Sequence, residues 1–521
     1  VSSSEQPREL ERHAATMSSA EPGPDPLNPG GAIGGRAARS GAIRIGGQAL
    51  QLVLGVGVGA ALARLLSPGD FGLLAMTATL TAFVGSFRDF GMPNAIAHQR
   101  TLSHAQLSRL FAVNLRLNLL ILGALALLAP LLARFYGEPR LTAVTLLLAL
   151  GVFIVGLANQ HESLLMRQLR FGALTVIDTA VLVVGSAIAI GLALAGAGYW
   201  ALVAQTLVAA LLRSAALWAV AGWRPSWRRA EADGPEGDTA AITRYGRQLT
   251  WFRVVAHIGR NLDRVVVGYA AGPAALGLYD RSYQWSTFPV QNIYGPLLNI
   301  AVATLSRVKE DAAAYRRYAH NALLPIFGLC VPALAFMAVA AEPIIRLVLG
   351  EGWLAAIPIF QLHCAAAFVG CMSTVTKPLY LSQGRTRRQL TWGLMTTPLM
   401  IGAVIYGARW GVAGVALGFS AATFLLALPA VAFCLQGSPL RPRDFLAVVW
   451  RPYVAALAAA AALAAARPWL PAEPALALEL LADGAVFGAA YLGVWLLLPG
   501  GRATLAAVWA QLRESRRPNG I

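Results

Sequence analysis

The chain has 521 residues, of which 57% are hydrophobic and 13% charged, and its mean hydropathy is +0.59. Soluble domains are about half apolar and about a quarter charged, so this composition excludes an ordinary water-soluble globule. A net charge of +17 would suggest a nucleic-acid partner on a soluble chain, but no such module is legible, and membrane proteins gather positive charge in cytoplasmic loops.

Residues 1–40 are polar and rich in Pro, Gly and Ser, and are expected to form a disordered cytoplasmic N-terminus. No charged n-region, apolar core and cleavage site precede the first span, so no signal peptide is expected; the start is either Val1 or Met17. Long apolar runs follow, among them Leu117 to Leu132, Leu141 to Leu157, Val181 to Ala197 and Val412 to Leu435. A run near 20 residues crosses a hydrocarbon core of roughly 30 Å. The pattern predicts an all-α integral membrane protein of about fourteen transmembrane helices. The spans lie near 43–65, 70–90, 111–134, 141–160, 173–195, 199–220, 248–270, 277–301, 319–341, 356–378, 390–408, 412–435, 446–466 and 476–498. Several are marginal, notably those near 70–90, 277–301 and 390–408.

Basic residues fall mainly in alternate connections. One side holds Arg36, Arg39 and Arg44, then Arg100 and Arg109, Arg167 and Arg170, Arg224 to Arg247, Arg307 to Arg317, Arg385 to Arg388, Arg441 and Arg443, and Arg513 to Arg517. The other side holds little beyond Arg64, Arg134, Arg140, Arg346, Arg409 and Arg467. By the positive-inside rule both termini are cytoplasmic.

The chain also repeats. Pro68, Gly72 and Leu73 between spans one and two match Pro273, Gly277 and Leu278 between spans seven and eight, and Asn94 matches Asn299, all at an offset of about 205 residues. Gly198-Tyr199-Trp200-Ala201-Leu202 is echoed by Gly411-Val412-Ala413-Gly414-Val415. The expected organisation is a six-helix bundle over 41–222, a cytoplasmic linker over 223–247, a second six-helix bundle over 248–436, two additional helices over 437–500 and a cytoplasmic tail over 501–521. Both bundles enter from the same side, which makes the repeat parallel about an axis along the membrane normal, an architecture for alternating access.

Span seven carries the strongest chemical signal. Arg253, His257, Arg260 and Arg264 recur at i, i+4, i+7 and i+11, one face of a helix. An arginine at the bilayer centre costs about 2.5–3.5 kcal/mol, so such a row belongs against protein or a wet cavity. Guanidinium groups pair with phosphate oxygens in a fork geometry, so the row is a candidate anion site. The structural alternative is that Arg253 snorkels to the membrane edge and Asp263 neutralises Arg260 or Arg264. Arg116, between Asn114 and Asn118 in span three, is a weaker cavity candidate, with snorkelling as its alternative. Asp178, beside Thr175 and Thr179, is a candidate proton relay or partner for an arginine across the cavity; a structural acid is the plainer reading. Asp280 and Arg281, with Tyr279, Tyr283 and Trp285, read as an interfacial aromatic belt, on whose rings sugars also stack.

Other signals carry less. Cys330, Cys364, Cys371 and Cys434 lie in apolar runs without a His or Asp cluster, so they read as small buried hydrophobes. Gly55, Gly57 and Gly59 lack the strand that precedes a phosphate loop, and His161-Glu162 lacks the second His of a zinc protease. No metal, cofactor or catalytic residue is expected.

The segment Leu65-Leu66-Ser67-Pro68-Gly69-Asp70-Phe71-Gly72-Leu73, followed by Asp89-Phe90-Gly91 and Ala97-His98-Gln99, resembles the Wzx-type polysaccharide flippases, in particular their WzxC-like branch. Asn261-Leu262-Asp263 with Val267-Gly268, Leu276 to Tyr279, Pro296 and Leu305-Ser306-Arg307 resembles the second half of that family. The resemblance covers roughly residues 36–500 and places the chain in the multidrug/oligosaccharidyl-lipid/polysaccharide (MOP) exporter superfamily. It implies a non-enzymatic transporter in a bacterial inner membrane that turns an undecaprenyl-diphosphate-linked oligosaccharide from the cytoplasmic to the periplasmic leaflet, driven by a proton or sodium gradient. Its expected partners are membrane lipids and polysaccharide polymerase or export machinery. Carried onto this chain, Arg260 and Arg264 would hold the diphosphate, with Arg116 opposite. A lipid II or multidrug exporter on the same fold is the first rival. A membrane polysaccharide polymerase or ligase is the second, and the short outer connections speak against it.

Overall fold

The computed structural model describes residues 33–85, 104–226, 237–469, 476–502 and 504; within these, the side chains of 33–45, 85, 237–260, 296, 297, 299 and 300 lie outside the description. Every described element is helical. The first half comprises α1 (Ile33–Leu65), α2 (Pro68–Gly85), α3 (His104–Tyr136), α4 (Arg140–Arg167), α5 (Phe171–Leu194) and α6 (Trp200–Ala221). Next comes a helical segment of 71 residues, Gly237–Arg307, broken at Gly272, where φ is 79°. Glycine suits that conformation because it has no Cβ to clash. The chain reverses at this break into α7 (237–271) and α8 (273–307), so that Arg264 meets Asp280 and Asp263 meets Tyr279. The predicted spans left a loop over 271–276; a single left-handed glycine takes its place.

The second half continues with α9 (Ala312–Val339), the short α10 (Ala341–Val348), a 3₁₀ turn (Glu351–Ala356), α11 (Ile357–Thr374), its extension α12 (Thr376–Ser382), α13 (Thr386–Gly407) and α14 (Gly411–Leu435). Helices α15 (Pro442–Ala466) and α16 (Leu476–Leu497) close the chain. With α11 and α12 counted as one pass and the eight-residue α10 set aside, the described helices number fourteen, in line with the expected count. Several overrun their predicted spans: α3 begins at His104, because a helix runs past the apolar stretch into polar residues that water can solvate. At the start of α9 the Asp311 carboxylate accepts from the Ala313 and Ala314 amides, which holds it below the usual carboxylate range.

Connections alternate between two faces, named here the Pro68 face and the arginine-rich face. At the arginine-rich face each half keeps its own core. Leu107, Leu110, Phe111, Leu164 and Trp223 pack together in the first half. In the second, Arg385 and Arg388 donate to the Gln436 carbonyl at the end of α14, and Arg316 donates to Pro439 O at 2.9 Å. Cations suit the unsatisfied carbonyls of a helix C-terminus. Helices α15 and α16 join the core of the second half, with Tyr491 donating to Gly328 O at 3.1 Å.

At the Pro68 face the two halves share cores. Leu62, Leu66, Phe71, Ala193 and Leu202 of the first half are buried with Ile345, Trp353 and Phe360 of the second. A second cluster joins Leu73, Met76 and Leu141 to Val267, Leu276, Tyr279 and Val415. Trp353 Nε1 donates to Ala63 O at 2.8 Å, and Arg64 donates to Leu347 O. The repeat itself forms the tightest contact. A Cβ on Gly72 would strike the Pro273 carbonyl, and a Cβ on Gly277 would strike the Pro68 carbonyl. Among the described residues, no buried apolar cluster joins the halves at the arginine-rich face. Among the described residues, the buried apolar contacts between the halves gather toward the Pro68 face.

Candidate functional site

The site is built by the α7–α8 hairpin. Arg264 and Asp280 each lie eight residues from Gly272, about 12 Å along their helices at 1.5 Å per residue. Arg264 Nε donates to Asp280 Oδ1 at 2.6 Å, and a second nitrogen donates to Asn261 Oδ1. The guanidinium carbon lies 5.0 Å from the centre of the Tyr283 ring. Arg264 is therefore held in place by a partner on α8, with 17% of its side chain exposed.

Asp263 points elsewhere. It is buried, and one carboxylate oxygen accepts from the Tyr279 hydroxyl at 2.9 Å. The other oxygen has no hydrogen-bond partner among the described residues. On α11, His363 is buried against the Tyr279 ring, with neither ring nitrogen bonded among the described residues. Its ring stands edge-on to Tyr279, Tyr283 and Phe419 at centroid distances of 4.6, 5.5 and 6.1 Å. A buried carboxylate oxygen and imidazole without partners are groups that a proton or a small cation would satisfy.

The side chains of Arg253, His257 and Arg260 lie outside the described residues; their backbone continues α7 toward the arginine-rich face. Arg116 is exposed on α3, turned away from the buried Asn114 and Asn118. Asn114 ties α3 to α4, its Nδ2 donating to Gly156 O at 2.8 Å, and Asn118 Nδ2 donates back to Asn114 O at 2.8 Å. Asp178 accepts from Arg213 Nε at 2.9 Å, while the other Arg213 nitrogens reach Glu162 at 2.9 Å. That triad lies within the first half, joining α4, α5 and α6. The sequence reading missed Arg213 and Glu162, although an arginine inside an apolar run was a visible signal.

The remaining feature is an apolar pocket of about 240 Å³ at the seam between the halves. Met76, Thr79 and Phe83 of α2, Phe135 and Tyr136 of α3, and Leu262 of α7 line it, with Asn261 at its edge.

A family model described as polysaccharide biosynthesis protein matches residues 61–358, more than half of the chain. The chain belongs to the polysaccharide biosynthesis protein family. One relative of this family member is the lipopolysaccharide biosynthesis protein WzxC of Escherichia coli K12, 24% identical over 71% of this chain and 76% of WzxC. Another is the succinoglycan biosynthesis transport protein ExoT of Rhizobium meliloti, 25% identical over 67% of this chain and 69% of ExoT. Among solved structures, the lipid II flippase MurJ superimposes with a TM-score of 0.67 at 14% identity, covering 87% of this chain and 98% of MurJ. The chain is thus a multi-pass membrane protein with the fold seen in MurJ.

Proposed function

We propose that this chain carries an undecaprenyl-diphosphate-linked oligosaccharide from the cytoplasmic to the periplasmic leaflet of a bacterial inner membrane by alternating access. In this reading the arginine-rich face and both termini are cytoplasmic, and the Pro68 face is periplasmic. The observation that supports it most is the course of α7. Its basic row starts at Arg264, beside the core that the halves share, and descends toward the face where each half keeps its own core.

The diphosphate enters from the cytoplasmic side along Arg253, His257 and Arg260, with Arg116 on the opposite half, while the lipid tail stays in the bilayer. At Arg264 it competes with Asp280. Charge compensation by guanidinium groups lets the anion pass a core that would otherwise reject it. Asp263, with His363 on the other side of their shared neighbour Tyr279, takes the coupling ion, a proton or sodium. The names of WzxC and ExoT support a polysaccharide precursor as cargo. The multidrug alternative has less support, because Arg213 already neutralises acids of the first half. A polysaccharide polymerase in the same membrane would consume the delivered unit.

The test is Arg260→Glu combined with Arg264→Glu in cells that depend on this chain for polysaccharide. Two charge-assisted contacts are worth about 1.5–3 kcal/mol each, so export is expected to fall about 100-fold or more. Surface polysaccharide at the wild-type level, with the variant present in the membrane, would remove these arginines from the mechanism.

A further inference from the structure

The geometry points to α8 as the wall that reads the sugar: Gln284, Thr287, Gln291 and Asn292 form a site for the uncharged hydroxyls of the lipid-linked oligosaccharide. This inference rests on the transport reading above and adds a second class of contact to it.

Asp280, Gln284, Thr287 and Gln291 are spaced by four, three and four residues, so they share one helical face. Hydrogen bonds link them in sequence. Gln284 Nε2 donates to Asp280 Oδ2, Arg281 donates to Gln284 Oε1 at 3.2 Å, and Gln291 Nε2 donates to Thr287 Oγ1 at 3.0 Å. Asn292, next along, donates to Phe288 O at 2.9 Å. A primary amide has two donors and an acceptor with two lone pairs, so these bonds leave capacity on every amide.

The same side of α8 shows where this row looks. At the Pro68 face it presses on the opposite half: Gly277 sits against Pro68, and the Arg281 guanidinium lies 4.1 Å from the centre of the Phe71 ring. One to four turns further along, Gln284, Gln291 and Asn292 are exposed. A side that packs on the opposite half at one end and is open beyond it lines the gap between the halves. Facing lipid, each amide would cost several kcal/mol.

Depth connects this row to the basic one. Counted from Gly272, Arg264 is level with Asp280, Arg260 with Gln284, His257 with Thr287, and Arg253 with Gln291. A diphosphate held at the levels of Arg260, His257 and Arg253 therefore has an amide or a hydroxyl beside it on α8, and at Arg264 it meets the Asp280 carboxylate; the neutral groups suit a sugar joined directly to that diphosphate. The repeat does not require these residues. At the 205-residue offset Asp280, Gln284, Thr287 and Gln291 correspond to Ala75, Thr79, Ala82 and Ser86, a row of small residues without an amide.

The test uses the full chain in nanodiscs carrying Thr287→Val and Gln291→Leu, with two probes. One is farnesyl diphosphate; the other is undecaprenyl-diphosphate oligosaccharide extracted from cells that depend on this chain. Two lost hydrogen bonds predict about tenfold weaker binding of the glycosylated lipid, with farnesyl diphosphate changed by less than about twofold. Arg264→Gln weakens both. Gln291→Asn, which keeps the amide, retains part of the affinity, as a misfolded protein would not. Unchanged binding of the glycosylated lipid, or equal weakening of both probes, overturns the inference. So does wild-type protein that binds the two probes equally well, and that result leaves the diphosphate reading standing. Wild-type protein that binds neither probe overturns the diphosphate reading, and the sugar site with it.

Discussion

Gly277→Val is expected to part the halves at the Pro68 face and abolish export. A Cβ at position 277 falls on the Pro68 carbonyl, a backbone group that cannot rotate aside. Overpacking of this kind costs about 1–3 kcal/mol, which shifts the balance between joined and separated halves by roughly 10- to 100-fold. Gly72→Val should act alike, since its Cβ meets the Pro273 carbonyl. The reporter is Leu62→Cys, at a position 3% exposed within the shared core. A membrane-impermeant maleimide should label that thiol only when either valine is present. Equal protection in all three proteins, with normal export, would show that the glycine contact does not hold the face shut.

Arg213→Met should be the most destabilising single change in the first half. It removes one guanidinium that engages Glu162 through two nitrogens and Asp178 through a third. Two carboxylates are then left together without a counter-charge. Breaking a buried ion pair costs about 3–5 kcal/mol, and the lower end applies because these side chains are 25–39% exposed. Thermal denaturation followed by size-exclusion chromatography reads the loss. The triple variant Arg213→Met, Glu162→Gln, Asp178→Asn should recover both stability and export, because it deletes the charges as a set. A triple variant that is stable but does not export would contradict a purely structural role for the triad.

The fold was largely legible because hydrophobic runs and punctuating prolines and glycines are one-dimensional signals. The repeat was legible too, but not that its glycines would pack against each other's half. The site was less legible, for geometric reasons. The sequence offered Asp263 as a neutraliser of Arg264, yet adjacent residues on a helix project about 100° apart and do not face each other. Arg264 instead found Asp280 across the hairpin, and Asp263 found Tyr279. Arg116 and its flanking asparagines lie about 200° apart by the same rule, so the arginine is exposed while the asparagines are buried, Asn114 against α4. Asp178, weighed as a partner across the cavity, meets Arg213 on the neighbouring helix. The amide row of α8 escaped notice because uncharged polar residues register only as weak hydropathy. The faintness of the span near 277–301 was itself the clue.

The paired glycine–carbonyl contact also has a lesson in ancestry. Position 72 touches 273 and position 277 touches 68, so the patch on each side is the same patch. Self-complementary surfaces of this type are what a homodimer with two-fold symmetry uses. A six-helix precursor pairing with its own twin would have needed only one favourable mutation to gain the clasp twice over. Within one chain the two sides can differ, as Met76 and Arg281 do at the 205-residue offset.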